Sequence, residues 1–243
     1  MPRGTGRIGP AAWFPAESTD VADLVKLLVM TAVAAERDAI VAALGPRSDV
    51  TVLVAGVGPA AAAAGTSSAL AGGGIDLVLS AGIGGGFAPL APGDIAVASA
   101  IVFADLGAET PDGFVPVSEL GFGGESYDVA PKLAVQLADR TRGHLGTILT
   151  VATVTGTAAT ANALAGRFAD AVAEGMEGAG IAAAAQVHQV AFAEVRAISN
   201  MVGPRDRSAW RIPEALDALG RAVAAVAAGE STPGESTSRE STP

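Results

Sequence analysis

Short runs of apolar residues alternate with longer alanine-rich stretches along the middle of this chain. The runs have the length of buried strands and lie at 26–31, 50–55, 75–80, 95–103, 146–153 and 191–199. The stretches have the length and composition of helices and lie at 36–44, 59–70, 131–142, 158–168, 176–187 and 213–228. This alternation predicts a single α/β domain, with a mixed, mostly parallel central sheet flanked by helices.

Both ends of the chain lack this pattern. Residues 1–25 mix Pro, Gly, Arg and Asp without periodicity, and we predict a disordered N-terminal extension there. Residues 229–243 form a repetitive Ser/Thr/Glu/Pro tract, which cannot bury enough apolar surface to fold. The folded domain is therefore predicted to span residues 26–228, with a long irregular segment at 105–125.

The composition excludes several classes of function. A net charge of −10 disfavours nucleic acid and anionic membranes as partners, because both attract clustered Lys and Arg. The chain has no cysteine, and its two histidines lie far apart, so we expect no disulfide, no metal site and no histidine-based catalysis. It also has no signal-peptide core and no apolar run of the roughly 18 residues that span a bilayer. A cytoplasmic location is expected.

Two glycine-rich segments resemble parts of nucleotide-binding sites. A G-x-G-x-x-A pattern begins at Gly56, but the acid that would hold a ribose is missing, since the next strand ends in Ser80. We therefore expect no nicotinamide or flavin cofactor, and we interpret Gly56 and Gly58 as a tight turn with close packing. Residues 81–87 are predicted to be a loop whose backbone N–H groups, including those of Ile83 and Gly84, face a small ligand or water.

Polar residues also collect where predicted strands end, and such positions carry ligands in parallel sheets. Glu36 follows the first strand, Glu177 lies among small residues before an apolar helix, and Arg196 and Asn200 end the last strand. Each has a purely structural alternative. Glu36 and Glu177 can serve helix ends, Arg196 can pair with a buried carboxylate, and Asn200 can form a turn.

Several segments together resemble a known family. TAVAAERDAI, GVGPAAAAAG, SAGIGGGFAP, PGDIAVA, EGMEGAGIA and EVRAISN resemble, in order and spacing, the nucleosidase branch of the nucleoside phosphorylase superfamily. ADLGAETPDGF, TVATVTGTAAT and SNMVGPRDRSAWRI resemble, more narrowly, the futalosine hydrolase family of an alternative menaquinone pathway. The resemblance implies cleavage of the N-glycosidic bond of futalosine to hypoxanthine and dehypoxanthinyl futalosine. It also implies a small-molecule purine nucleoside as substrate, no cofactor, and a homodimer or larger homo-oligomer.

The resemblance also implies roles for the residues around the sugar. Glu36 matches the carboxylate that positions and deprotonates the attacking water, which is general-base chemistry. Glu177 matches the acceptor of hydrogen bonds from the ribose hydroxyls. Met176 matches the side chain that packs on the sugar face. Arg196 matches an arginine at the water site or one that orients a carboxylate.

Around the base, the resemblance assigns Val154 and Thr155 to the lining, with backbone groups meeting the purine edge. Asn200 replaces the aspartate of the methylthioadenosine nucleosidases, and Ser199 lies beside it. An amide cannot donate a proton as an acid does, but its N–H can bond to N7 or O6 of a 6-oxopurine. Asn200 therefore favours hypoxanthine over adenine as the leaving group.

The choice of nucleophile depends on residues 80–91. Phosphorylases of the superfamily place an arginine in this segment, whereas this chain has no Lys or Arg there, so hydrolysis is predicted. Ile83 occupies a position that is often serine in the nucleosidases. Arg205 and Arg207 follow Asn200 and are predicted to bind the carboxylate of the substrate. Another purine nucleosidase, a purine nucleoside phosphorylase and a non-catalytic nucleoside-binding module stay open as alternatives.

Overall fold

The computed structural model describes residues 26–228, so the two predicted disordered ends lie outside the described residues. The strands are β1 (Leu27–Thr31), β2 (Val50–Val54), β3 (Leu77–Gly86), β4 (Ile95–Phe103), β5 (Gly107–Thr110), β6 (Gly113–Pro116), β7 (Ser126–Asp128), β8 (His144–Thr150), β9 (Ala171–Gly175) and β10 (Ala191–Met201). The helices are α1 (Ala34–Leu44), α2 (Pro59–Leu70), α3 (Pro131–Thr141), α4 (Ala158–Arg167), α5 (Gly178–Val187) and α6 (Ile212–Ala227), with a 3-10 turn at Arg207–Ala209. Among these residues no helix combines the length and apolar character needed to cross a membrane.

The central sheet is mixed, mostly parallel and closed on itself. Its strands follow the order β10-β4-β8-β9-β3-β1-β2, and β10 also pairs with β3. Strands β3, β10, β4, β8 and β9 therefore form a ring, from which β1 and β2 extend. Within the ring β10–β4 and β3–β9 are antiparallel, whereas β3–β10, β4–β8 and β8–β9 are parallel. The predicted fold class is confirmed, and the closure of the sheet is an addition to it.

Small residues set the distance between the helices. Helix α5 lies against α2, and a Cβ atom added at Gly180 would collide with the Pro59 carbonyl oxygen. Helix α6 lies against α1, and a Cβ atom at Gly220 would lie 2.8 Å from the Ala39 carbonyl oxygen. The abundance of alanine and glycine in this chain thus reflects helices that pack at short range.

The structure differs from the predicted elements in several places. The predicted glycine loop at 81–87 is largely the second half of β3, because residues up to Gly86 pair with β10 on one side and, at the end, with β9 on the other. Strand β9 was not predicted, and α5 begins at Gly178 rather than at Met176. The segment 105–125 is less irregular than expected, since β5 and β6 form a hairpin within it.

Candidate active site

The polar residues predicted from the sequence meet where β1, β3 and β10 run parallel to one another toward the same edge of the sheet. Glu36 lies on the first turn of α1, directly after β1, and Glu177 lies between β9 and α5. Residues 82–86 of β3, here called the glycine segment, run between them and Asn200 of β10. The carboxyl ends of the strands therefore form the site, as parallel sheets favour.

Glu36 is held by three backbone N–H groups and is only 3% exposed. Its Oε2 accepts from Ala32 at 2.9 Å and Val33 at 3.3 Å, which are donors at the start of α1. Its Oε1 accepts from the Ile83 N–H at 2.9 Å. The bonds from Ala32 and Val33 are the helix-end role considered for Glu36. The bond from Ile83 ties the same carboxylate to the glycine segment. Glu36 therefore serves both the helix and the site.

Arg196 lies at the centre of a buried ionic cluster. Its Nη1 is 3.1 Å from Glu177 Oε2, its Nε donates to Glu194 Oε1 at 2.7 Å, and its Nη2 donates to Ser80 Oγ at 3.1 Å. Arg196 and Glu194 are two residues apart on β10, so both side chains lie on the same face of the strand. The arginine therefore pairs with two buried carboxylates, which agrees both with the structural alternative considered for it and with a role in orienting carboxylates.

The charges around Arg196 favour its ionised form. Burial alone would lower the pKa of the guanidinium, but Glu194, Glu177 and Glu36 outweigh it and raise that pKa above its usual value. Burial raises the pKa of the Glu194 carboxyl, and the charge of Arg196 opposes that rise. Three carboxylates around one guanidinium make the site electronegative, which suits a ligand that develops positive charge.

Glu177 links this cluster to a second helix. Its Oε1 accepts from the Gly58 N–H at 3.2 Å, and its Oε2 accepts from the Met176 N–H at 3.3 Å in addition to the ion pair with Arg196. Gly58 has a φ of 86°, and Gly56 has a φ of 101°, which is the tight turn predicted there. The Glu177 side chain makes no capping bond to its own helix, so simple helix capping does not explain it.

The glycines next to the cluster leave room for the Arg196 side chain. A Cβ atom added at Gly82 would lie 2.5 Å from Arg196 Nη1 and 2.8 Å from Glu36 Oε1. At Gly175 of β9 it would lie 2.9 Å from Arg196 Cζ. Gly82 of the glycine segment and Gly175 of β9 thus accommodate the ion-pair cluster.

We expect Gly82→Ala to reduce both stability and turnover. The added methyl group forces Arg196 or Glu36 to move, and overpacking of this kind costs about 1–3 kcal/mol. Chemical denaturation and a base-release assay measure the two effects. Gly166→Ala on α4 is the matched control, because no heavy atom lies within 4 Å of its added Cβ. Equal behaviour of the two variants would contradict this account of Gly82.

Asn200 lies beside the glycine segment with its amide oriented by neighbours. The Ser199 hydroxyl donates to Asn200 Oδ1 at 2.8 Å and is also within 3.2 Å of the Gly84 carbonyl oxygen. Asn200 Nδ2 donates to the Met201 carbonyl oxygen at 3.0 Å. The β3–β10 register shifts between Ile198 and Asn200, so Asn200 rather than Ser199 pairs with Gly85. This bulge decides which residue of β10 lies opposite Gly85.

The predicted base-lining residues lie after β8. Val154 is exposed, whereas Thr155 is buried and donates twice to Glu174, through its N–H at 2.9 Å and its hydroxyl at 2.5 Å. The N–H of Thr155 is therefore already used, and other groups of this segment would have to meet the purine edge. Met176 is half-buried at the junction of β9 and α5.

Arg205 and Arg207 lie on an exposed segment beyond β10. Their guanidinium carbons lie 5.4 Å and 5.9 Å from the centre of the Trp210 ring. Both cations thus approach one aromatic ring, and the structure places them outside the buried cluster.

Two buried acids near the site were not predicted, Glu174 and Glu194. A signal for Glu194 exists in the sequence, because an acid two positions before Arg196 in an otherwise apolar strand must share its face. Glu174 was missed because β9 itself was not predicted.

Comparisons with known proteins agree on the family. The family model described as the phosphorylase superfamily matches residues 17–228. A futalosine hydrolase of Streptomyces coelicolor is 52% identical over 222 residues, covering 83% of this chain and 94% of that protein. A futalosine hydrolase of Acidothermus cellulolyticus is 44% identical, covering 84% of this chain and 91% of that protein.

Solved structures share the fold at much lower identity. A 5'-methylthioadenosine/S-adenosylhomocysteine nucleosidase of Neisseria meningitidis superposes with a TM-score of 0.73 at 17% identity, covering 84% of this chain and 98% of that one. A futalosine hydrolase of Helicobacter pylori superposes with a TM-score of 0.70 at 18% identity, covering 84% and 97%.

Proposed function

Because this chain belongs to the futalosine hydrolase family of the phosphorylase superfamily, we propose that it hydrolyses the N-glycosidic bond of futalosine. The proposed products are hypoxanthine and dehypoxanthinyl futalosine, in menaquinone biosynthesis. The observation that carries the proposal is the buried cluster of Glu36, Glu177 and Arg196 against the glycine segment. The cytoplasmic location predicted from the sequence remains part of this proposal.

The cluster suits an oxocarbenium-like transition state. As the bond to the base breaks, the sugar becomes positively charged, and the excess of carboxylates over cations stabilises that charge. In the proposed mechanism Glu177 accepts from the ribose hydroxyls, and Met176 packs against the sugar. Glu36 orients a water and takes its proton, since its carboxylate is already fixed by three N–H donors.

Water rather than phosphate is the proposed nucleophile. Residues 80–91 carry no cation, and the guanidinium of Arg196 is already surrounded by Glu177, Glu194 and Ser80. A phosphate dianion at this place would approach Glu36 without a free cation from either source to offset the repulsion. A neutral water carries no such penalty.

Asn200 is proposed to select the 6-oxopurine. Because Oδ1 accepts from Ser199, Nδ2 is the donor side of the amide. One of its two hydrogens bonds to Met201, and the other is proposed to reach N7 or O6 of hypoxanthine.

Asn200→Asp should shift the preference of the enzyme toward 6-aminopurines. The carboxylate repels O6 and accepts from a 6-amino group, and a hydrogen bond to a charged group is worth about 1.5–3 kcal/mol, which is roughly tenfold or more. The ratio of kcat/KM for methylthioadenosine to that for futalosine measures the shift. Asn162→Asp, the same change on an exposed side chain of α4, serves as control, and an unaltered ratio in the Asn200 variant contradicts the selection proposed.

The far end of the substrate is proposed to meet Arg205 and Arg207. Guanidinium groups bind carboxylates through two parallel hydrogen bonds, and Trp210 offers both arginines an aromatic face.

A homodimer or larger homo-oligomer is also proposed. Leu53 and Val54 are exposed on β2, at the end of the sheet order, and Val57 is exposed just beyond it. Exposed apolar side chains on and beside the terminal strand of the sheet favour burial against a second copy.

One assay tests the function directly. The purified protein is incubated with futalosine, inosine and methylthioadenosine, with and without inorganic phosphate, and release of the base is followed. Release of hypoxanthine from futalosine without phosphate is expected. Dependence on phosphate, or a preference for methylthioadenosine, would overturn the proposal.

A further inference from the structure

A further buried acid, Glu174, lies outside the cluster around Arg196 and accepts hydrogen bonds from one residue with both of its oxygens. Glu174 is 5% exposed and lies on β9 among small residues. Its Oε1 accepts from the Thr155 N–H at 2.9 Å, and its Oε2 accepts from the Thr155 hydroxyl at 2.5 Å. Two hydrogen bonds to one residue define both the position and the orientation of Thr155.

The position of Glu174 connects it to the base-selecting side of the site. Glu174 pairs with Gly85 of the glycine segment, and Gly85 pairs on its other side with Asn200. Residues that pair directly across a sheet project to the same face, so Glu174 and Asn200 share a face with only a glycine between them. The two side chains start about 10 Å apart, which is two strand spacings.

The segment that Glu174 holds has no regular structure of its own. Residues 152–157 run from the end of β8 to the start of α4. The N–H of Ala152 donates to Asp105 Oδ2 at 2.8 Å, so carboxylates hold this segment at two points. These two bonds restrain the backbone of the segment between its two ends.

Burying the Glu174 carboxyl has an energetic cost, which points to a function for this side chain. Burial raises the pKa of the Glu174 carboxyl, and the hydrogen bonds from Thr155 oppose that rise only in part. A buried acid is expensive unless it is bonded, and an apolar side chain would fill the same place without that cost.

We propose that Glu174 is a positioning residue that fixes residues 152–157, through Thr155, against the purine that leaves. The inference rests on the proposed function, because it takes this segment to line the base. Glu174 itself does not touch the substrate. It holds the segment in one conformation, so that Asn200 on one side and the segment on the other meet the same ring system. Misplacement of such a group by about 1 Å can lower the rate of a reaction on the order of a hundredfold.

The test compares Glu174→Ala with Glu174→Gln. Glutamine keeps two hydrogen bonds to Thr155, because its oxygen accepts from the Thr155 N–H and its NH₂ donates to the Thr155 hydroxyl oxygen. We expect the alanine variant to bind free hypoxanthine about 10- to 100-fold more weakly by calorimetry, and to raise the KM for futalosine more than it lowers kcat. The glutamine variant should recover binding to within about threefold of the unaltered protein.

Thr155→Val tests the same pair of hydrogen bonds by changing the threonine. Valine loses the hydroxyl bond and keeps the N–H bond, so an intermediate loss is expected, and its effect should not add fully to that of Glu174→Ala. Thermal unfolding of each variant shows whether the fold is kept.

Each alternative gives its own result. A glutamine variant that binds hypoxanthine as weakly as the alanine variant would overturn positioning by hydrogen bonds to Thr155. Unaltered hypoxanthine binding in a folded alanine variant would make Glu174 purely structural. Unaltered protein that binds hypoxanthine but does not cleave futalosine would overturn the proposed function alone, and the binding comparison would still decide the role of Glu174. Unaltered protein that does not bind hypoxanthine would overturn both.

Discussion

Arg196→Ala is expected to lower the free energy of unfolding by about 3–5 kcal/mol. The substitution leaves the buried carboxylates of Glu177 and Glu194 without their cation, and a buried charge without a partner is unfavourable. It also removes the bond to Ser80 and opens a cavity in the middle of β10. Urea denaturation at neutral pH measures the loss, and base release should fall with it because Glu177 is no longer held.

The matched control is Arg37→Ala. Arg37 pairs with Asp38 on α1, where both side chains are exposed, and such pairs contribute roughly 0–1 kcal/mol. If the Arg196 variant lost less than about 1 kcal/mol of unfolding free energy, as the Arg37 variant should, the guanidinium of Arg196 would not be needed for the stability of the buried cluster.

Glu36→Gln should reduce kcat by about 10²- to 10⁴-fold, the usual contribution of a general base, while KM changes little. Glutamine keeps the shape of the side chain but cannot take a proton from water. It also places an NH₂ group toward an N–H donor that the carboxylate accepts from, either at the start of α1 or at Ile83, so a modest loss of stability accompanies the loss of turnover. Single-turnover measurements with futalosine separate the chemical step from binding.

Asp38→Asn provides the comparison for this variant. It makes the same change of acid to amide two residues along α1, on an exposed side chain outside the cluster. Its turnover should match that of the unaltered protein. If the Glu36 variant also kept full turnover, Glu36 would lose the role of general base.

The fold was predictable from the sequence because strands and helices here differ in length and composition. The apolar runs at 26–31 and 191–199 became β1 and β10 with small changes of boundary. The glycine segment was not recognised as strand, because glycine lacks the side chains that define a strand pattern, yet it pairs on both sides. Strand β9 was missed for a related reason, since five residues containing Glu174 and Gly175 show no clear alternation.

The site was predictable as a set of residues and not as a network. Glu36 and Arg196 were visible near the ends of predicted strands, and Glu177 was visible among small residues of a predicted helix. The structure brings Glu36 and Arg196 together beside Gly82 and pairs Arg196 with Glu177. Their partners depend on long-range pairing that no local pattern contains. Ser80 meets Arg196 only because β3 and β10 are in register, and Gly58 meets Glu177 from a separate helix.

The glycine segment has a consequence for how such an enzyme can evolve. A side chain added at Gly84 would meet the Glu174 carbonyl oxygen at 2.6 Å, and one added at Gly85 or Gly86 would meet Val202 or Ile198 at 2.8 Å. A cation for phosphate therefore cannot arise at these positions by a single substitution, because the neighbouring strands would have to separate first. Ile83 is the one member of the segment that already carries a side chain. Within the glycine segment, packing therefore opposes a phosphate-binding cation, and a lineage that introduced one there would have to begin at Ile83 or rebuild the sheet around it.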